Sequence, residues 1–415
     1  MVVSTALRRR WTWCSTQPEP PGVDGGFEFS VMTYNILSQE LLRDNAYLYR
    51  HCHPAHLPWE YRLPNLLTEI QQHAADILCL QEVQQDHYEA QIKPALQALG
   101  YQCEFKKRTG KKPDGCAVSF KTSRFSLLSS KPVEFFRGGD ALLDRDNVGL
   151  ILLLQPTGDP PGDPPGDPSS CVCVANTHLL YNPHRGDVKL AQLAILLAEI
   201  GRVSRLPDGS SRPVLLCGDL NSSPQSPLYS FLTRGRLEYK GLRIGMVSGQ
   251  EILLSGGSRG QRRLQSPIWS PKLGISRRCR YESKRPKFTP AGPPPAVSDP
   301  TVQDPDPGEP DGPSRWKEFR WSIEHGLSLR SAYGHRLEPE GRPEITTCHS
   351  RTAQTVDYIL YSPDSGASLP GGRGLQLLGR LSLVSQLELE EVNSLPNQHH
   401  SSDHLPLLVR FRLRP

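Results

Sequence analysis

The sequence predicts a layered α/β domain, and three observations carry that expectation. Short runs rich in Val, Ile, Leu and Phe recur from Phe27 to the C-terminus. Amphipathic helical stretches fall between some of them. Pro- and Gly-rich tracts at 157–170 and about 249–315 interrupt the pattern, yet strand-like segments of the same kind flank each. These tracts read as insertions into one domain over 27–413, not as boundaries between two.

Taken in order, residues 1–26 end in PEPPGVDGG and read as a disordered leader and linker. Arg8, Arg9 and Arg10, with no acid before Glu19, also fit the opening of a mitochondrial transit peptide. WTW, at 11–13, has no core residues around it and is assigned nothing. FEFSVMTYNIL opens the first strand, at 28–37. Leu63, Leu66, Leu67 and Ile70 recur at helical spacing and predict a helix over 59–73. DILCLQEV predicts a strand over 76–83, and a helix follows over 86–99. Strands are expected at 115–120, 126–136 and 147–155. TGDPPGDPPGDPSS joins VGLILLLQ to CVCVANTHLL, so 147–155 and 171–180 should form a hairpin with a swollen tip. A helix over 187–204 has Val188, Leu190, Leu193, Leu197 and Ile200 apolar, with Asp187 in its first turn. Lys189 and Gln192, one turn apart, are assigned to its wet face. The last strands are expected at 213–218, 355–361 and 404–413. The tract at 249–315 has almost no apolar periodicity and is read as a disordered loop unable to support a core.

A formal net charge of +5 and a pI of about 8.6 permit a polyanionic partner without demanding one. The 10 cysteines are scattered, mostly within apolar runs, and no C-x-x-C occurs. Reduced, buried thiols in an intracellular protein, cytoplasmic or nuclear, are the reading. No apolar run approaches about 18 residues, so no membrane span is expected. A P-loop would need G-x-x-x-x-G-K-[ST], which is absent.

Several apolar strands end in a polar residue that a core would reject. Asn35 lies late in the first strand and Glu82 late in the second. Asn176 and His178 close CVCVANTHLL, and Asp219 and Asn221 close VLLCGDLN. Asp357 opens one strand, and Asp403 with His404 opens the last. Groups at strand ends meet a crevice in α/β folds. Any one of them is an ordinary turn or cap residue; the set together is not. Oxygen and amide ligands without cysteine favour Mg²⁺ or Mn²⁺ over zinc. Histidines and further acids beside such an ion suit phosphoryl transfer.

TYNIL, LCLQEV, ANTHLLYNP, CGDLNSSP, TVDYILYS and SSDHLPLL, in this order, resemble the endonuclease/exonuclease/phosphatase superfamily of DNase I-like fold. Within it they resemble the branch of Nocturnin, the poly(A) deadenylases and the Angel proteins. RTGKKPDGCAV, LLDRDNVGL and YNPHRGDVKLAQLAILLAEI resemble the Angel proteins in particular. The resemblance covers 27–413 apart from the two Pro-rich tracts. It implies a four-layered α/β sandwich, two facing and mainly antiparallel sheets flanked by helices.

The resemblance also implies roles. Glu82 would bind Mg²⁺, with Asn35 helping directly or through water. Asp219 would orient and deprotonate the attacking water, and Asn221 would hold that water or the phosphate. His404 would contact the scissile phosphate, with Asp357 fixing its tautomer. His178 would stabilise the transition state, and Asp403 would help hold metal or nucleophile. The implied activity is removal of a 2′,3′-cyclic phosphate from RNA 3′ ends, whether of tRNA, mRNA or other RNA. The same residues would serve a 3′→5′ poly(A) exoribonuclease. A non-catalytic adaptor binding RNA or a translation factor is a third reading, and an inositol or sphingomyelin phosphodiesterase a fourth. Among secondary signals, the basic FKKRTGKKPDG (105–115) could grip an RNA backbone. Arg145, Asn147 and Tyr181 are candidate substrate contacts, with His184 beside them. His399 and His400 are read as bystanders.

Overall fold

The computed structural model describes residues 6–14, 26–157, 170–250, 262–282, 321–364 and 374–414. Two large sheets face each other. The first holds seven strands in the order Trp11–Trp13, Leu375–Leu381, Leu407–Leu413, Phe27–Asn35, Ile77–Gln84, Asp114–Lys121 and Tyr101–Lys107. The second holds six, in the order Arg330–Ser331, Asp357–Tyr361, Val214–Asp219, Val172–His178, Val148–Pro156 and Phe125–Glu134. Each sheet has one parallel pair, Phe27–Asn35 with Ile77–Gln84 and Val172–His178 with Val214–Asp219. Every other pairing within the two sheets is antiparallel.

Strand periodicity explains the layers. Phe29, Val31, Ile77 and Cys79 point inward and meet Leu150, Leu152, Leu154 and Val174 of the other sheet. Their alternates, Met32, Tyr34, Leu78 and Leu80, point outward against the helix Trp59–His73 and the helical stretch 85–98. On the second sheet Ile151 and Leu153 point outward against the helix Gly186–Val203. Strands buried on both faces read as unbroken apolar runs, which is why the sequence exposed them. The four-layered sandwich expected from the resemblance is the observed architecture, with the first hairpin expectation met by Val148–Pro156 and Val172–His178.

Four strands of the two large sheets were not anticipated, the two-residue Arg330–Ser331 among them. Tyr101–Lys107 pairs on one side only and reads YQCEFKK, too polar for an apolar-run criterion. Leu375–Leu381 carries a register shift near Gly379. Trp11–Trp13 pairs with it as an edge strand, its two indoles exposed and stacked 5.5 Å apart.

Two other expectations are corrected. Lys189 and Gln192 are fully buried. From Val188 to Ile200 the helix Gly186–Val203 is covered on all sides, because Leu228, Phe231, Leu264 and Trp269 close over the face turned away from the sheet. Within the 249–315 tract, residues 262–282 place Leu264, Trp269, Ile275 and Cys279 in that same core. Their apolar side chains follow a 3₁₀ turn and isolated bridges, so no regular period announces them. The leader's 15–25, the tip at 158–169 and the tracts 251–261 and 283–320 lie outside the described residues. All 10 cysteines are free thiols. Among the described residues no helix is long and apolar enough to cross a membrane.

Candidate active site

Strands of both sheets end at one cleft of about 230 Å³. In the second sheet His178 ends its strand, Asp219 ends the next, and Asp357 opens the third. The register sets His178 opposite Asp219 and Asp219 opposite Asp357, so three functional side chains stand in a row on one face. From the facing sheet come Asn35, at a strand end, and Glu82 on the neighbouring strand.

Glu82 reaches the cleft through a bulge. Pairing with Asp114–Lys121 shifts between Leu80 and Val83, and Glu82 sits at φ +55°. The extra residue breaks the alternation. Gln81 enters the inter-sheet core, where its amide donates to Thr33 Oγ1 at 3.0 Å and Asn176 Oδ1 at 2.8 Å. Glu82 turns the other way and accepts from Asn35 Nδ2 and the Ser38 N–H, both at 3.0 Å. Asn176, grouped with the strand-end residues on sequence, is not in the cleft. It is fully buried and ties the sheets by donating to Leu80 O and Ala117 O, both at 2.9 Å.

Asp219 is the centre of the site. Its Oδ1 accepts from the Asn221 N–H at 2.9 Å, and its Oδ2 from Asn35 Nδ2 at 3.2 Å. The same Oδ2 lies 3.5 Å from His178 Nε2 and 3.9 Å from His404 Nε2. Asn221, at φ +46°, turns its amide back to donate to Leu179 O and to face His178 Nε2, both at 3.0 Å. With the amide so fixed, His178 Nε2 is the acceptor and the ring proton sits on Nδ1, toward Glu82 Oε1 at 4.0 Å. His404 Nδ1 lies 2.8 Å from Asp357 Oδ2, which also accepts from Thr346 Oγ1 at 2.6 Å. Asp403 accepts from the Tyr49 hydroxyl at 2.9 Å.

Three supporting residues escaped the sequence reading. The Lys189 ammonium donates to Asn221 O and to Gln250 Oε1 at 3.0 Å. Gln192 accepts from Leu180 N at 3.0 Å and donates to Asn147 Oδ1 at 3.2 Å; Asn147 in turn donates to His178 O at 3.0 Å. Arg62 is fully buried and donates to Ile36 O and Leu37 O, both at 2.6 Å, and to Ser401 O at 2.7 Å. It clamps the loop after Asn35 to the loop before His404. Lys189 and Gln192 had a signal that went unused. Every neighbouring position of their helix is apolar or small, which leaves no wet face.

The electrostatics divide the two histidines. Burial pushes His178 down, with Glu82 pulling the other way, so it stays a neutral imidazole. Burial also opposes charge on His404, but Asp357, Asp403 and Asp219 overcome it and hold its pKa well above the usual range. Burial, then the nearby Asp357, raises Asp219 to about 7. Burial raises Glu82 as well, with His178 opposing and Asp403 adding.

Three carboxyl groups, of Glu82, Asp219 and Asp403, thus line the cleft with His404, and Asp357 stands against its Nδ1. Asp357 Oδ1 and Asp403 Oδ1 are buried acceptors with no donor among the described residues. A hard divalent cation suits such a surplus of oxygen charge. Asp219, Asp357 and His404 bring ligand atoms within 4.8 Å of one another. A protonated His404 has no lone pair to offer, so that trio fits a hydrogen-bonded relay better than a cage. Glu82, which accepts from Asn35, and Asp403, whose Oδ1 has no donor among the described residues, line the cleft and could hold the ion.

Among the expected substrate contacts, Tyr181 lines the cleft and is 65% exposed, and Asn147 also lines it, though buried, with its amide donating to His178 O. Arg145 is outside the cleft lining, because its guanidinium is taken up by its sequence neighbour Asp144. Of the basic hairpin only Arg108 reaches the cleft; Lys106 pairs with Glu134 and Lys112 with Asp44. His399 and His400 are away from the cleft, and His400 lies 3.8 Å from Glu69.

The endonuclease/exonuclease/phosphatase family profile matches residues 32–404. The chain belongs to the endonuclease/exonuclease/phosphatase family. Protein angel homolog 2 of Danio rerio is 57% identical over 99% of this chain and 69% of that protein. The Homo sapiens angel homolog 2 is 52% identical over 96% of this chain and 72% of its own length. A crystal structure of ANGEL2, a 2′,3′-cyclic phosphatase, in complex with adenosine-2′,3′-vanadate, superposes with a TM-score of 0.80 at 51% identity, covering 99% of each chain. The human Nocturnin catalytic domain, at 22% identity and a TM-score of 0.54 over 97% of this chain and 96% of its own, shares the fold. Membership of the endonuclease/exonuclease/phosphatase family makes this chain a phosphoric ester hydrolase, with the cleft as its candidate centre.

Proposed function

We propose that the protein removes the terminal 2′,3′-cyclic phosphate from RNA and leaves the 2′,3′-diol, with Mg²⁺ as cofactor and Mn²⁺ as a substitute. The observation that carries this reading is the likeness, at 51% identity over 99% of both chains, to ANGEL2 in complex with adenosine-2′,3′-vanadate. The site's chemistry supports it. A carboxylate held near neutrality, between a neutral and a charged imidazole, is suited to take a proton from water attacking phosphorus.

On this reading Glu82, with Asn35 and Asp403, holds the ion. When bound, Mg²⁺ supplies Lewis-acid stabilisation to a phosphate oxygen. Asp219 orients the attacking water and takes its proton, while Asn221 holds the water or the phosphate. His404, kept cationic by Asp357, donates a hydrogen bond to a phosphate oxygen as charge builds there. His178, neutral with its proton on Nδ1, stabilises the transition state. Opening the ring forms one bond from water oxygen to phosphorus, breaks one ribose O–P bond and leaves a proton on the ribose oxygen. A second water repeats the step and releases inorganic phosphate. Arg145 is not retained as a contact; Tyr181 and Arg108 are better placed to meet substrate.

The test is purified protein with Mg²⁺ and two end-labelled RNAs. One carries a 3′ cyclic phosphate and the other an A-tail with a free hydroxyl. Loss of the cyclic phosphate with the A-tail left intact supports the proposal. Shortening of the A-tail at a comparable rate overturns it in favour of the exoribonuclease.

A further inference from the structure

A second cleft, of about 260 Å³, opens where the far end of the helix Gly186–Val203 meets residues 262–282. Four arginines line it, Arg202, Arg205, Arg278 and Arg280, and no acid does. Glu199 pairs with Arg202 and Glu324 with Arg278, each at 2.8 Å. Among the described residues Arg205 and Arg280 have no carboxylate partner and are exposed. Arg280 lies close over Gly326, where a Cβ would stand 2.7 Å from Nη2, so the guanidinium rests on backbone with its charge open to the cleft. Tyr281 adds a ring that is 42% exposed, its hydroxyl donating to Glu199 at 2.7 Å.

The wider surface has the same sign. Residues 262–282 carry Arg262, Arg263, Lys272, Arg277, Arg278 and Arg280 against the single acid Glu282. That segment alone contributes as much positive charge as the whole 415-residue chain has in surplus, +5. A cleft of guanidinium groups with an aromatic edge matches a nucleic-acid backbone, with phosphates on arginine and an unpaired base on the ring. From Lys189, at the catalytic end, to Gly201, in this cleft, the helix runs about 18 Å. A bound RNA can span that distance while its 3′ end occupies the first cleft.

We propose that this basic cleft is a second RNA-binding site, which holds the phosphate backbone of the strand whose 3′ end is processed. The proposal rests on an RNA substrate, so its test is separable from turnover. Binding of a hairpin RNA ending in a 3′ hydroxyl is measured by fluorescence anisotropy for the parent and for Arg205→Gln with Arg280→Gln. Arg336→Gln with Arg410→Gln, exposed and outside the cleft, removes the same charge elsewhere. The cleft pair is expected to weaken binding about tenfold and to lower the salt slope by about two. It should leave hydrolysis of a dinucleotide 2′,3′-cyclic phosphate, too short to reach, unchanged. Equal loss from both pairs, or none from the cleft pair, overturns the proposal. Failure of the parent on the dinucleotide would count against the catalytic reading alone, because anisotropy would still report the cleft.

Discussion

At Asp219 a carboxylate shares one small volume with two imidazoles and the amide of Asn35. Asp219→Asn keeps the shape and removes the base, so kcat for cyclic-phosphate hydrolysis should fall about 10²- to 10⁴-fold. Stability should move the other way. With its pKa raised from 3.8 to about 7, Asp219 adds stability that is full below about 4 and is lost as pH rises through 7. With metal chelated, Asp219→Asn should therefore melt above the parent at pH 8, and the difference should vanish toward pH 4. A constant difference across that range would show that burial does not hold this proton. Lys189 works through Asn221 and does not face substrate. Lys189→Met leaves Asn221 O without its donor, at a cost of about 1–3 kcal/mol. The expected outcome is a drop in kcat with KM kept, and recovery in Lys189→Arg if the cavity admits it. Loss confined to KM would contradict a positioning role.

Elements carry these residues to one place by register and by one bulge. Strand existence was legible because strands buried on both faces read as apolar runs, and the polar residue closing each run marked the site. The edge strands Tyr101–Lys107, mostly half-buried, and Trp11–Trp13, exposed throughout, were not legible, because neither is a buried apolar run. The buried polar residues behind the site were hidden for a related reason. Nothing local distinguishes a lysine aimed at a carbonyl from one aimed at water. Nor does the sequence show that Gln81 and Glu82 part company at the bulge, or that Asn176 ties the sheets while His178, two residues on, serves the cleft. Asn176→Leu should strip Leu80 O and Ala117 O of its donated hydrogen bonds, while the Gln81 amide keeps Thr33 Oγ1 and Cys79 O. Chemical denaturation should register a loss of at least about 2–3 kcal/mol. A loss below about 0.5 kcal/mol would mean that water replaces the tie.

At the scale of the molecule, two sheets bring residues from Asn35 to His404 into one cleft, and residues 262–282 close the core on the outer side. Trp269→Ala should cost about 3–5 kcal/mol, as for a buried aromatic in a folded core. A neutral result would make that segment a surface appendage. The central claim is that the cleft around Asp219 hydrolyses a 2′,3′-cyclic phosphate and does not shorten RNA. Its most direct measurement is inorganic phosphate released from an RNA ending in a cyclic phosphate, with RNA length read in the same reaction. The account predicts one phosphate per strand at unchanged length for the parent, and near-complete loss of release for Asp219→Asn. Release that survives Asp219→Asn, or strands that shorten nucleotide by nucleotide, would contradict it.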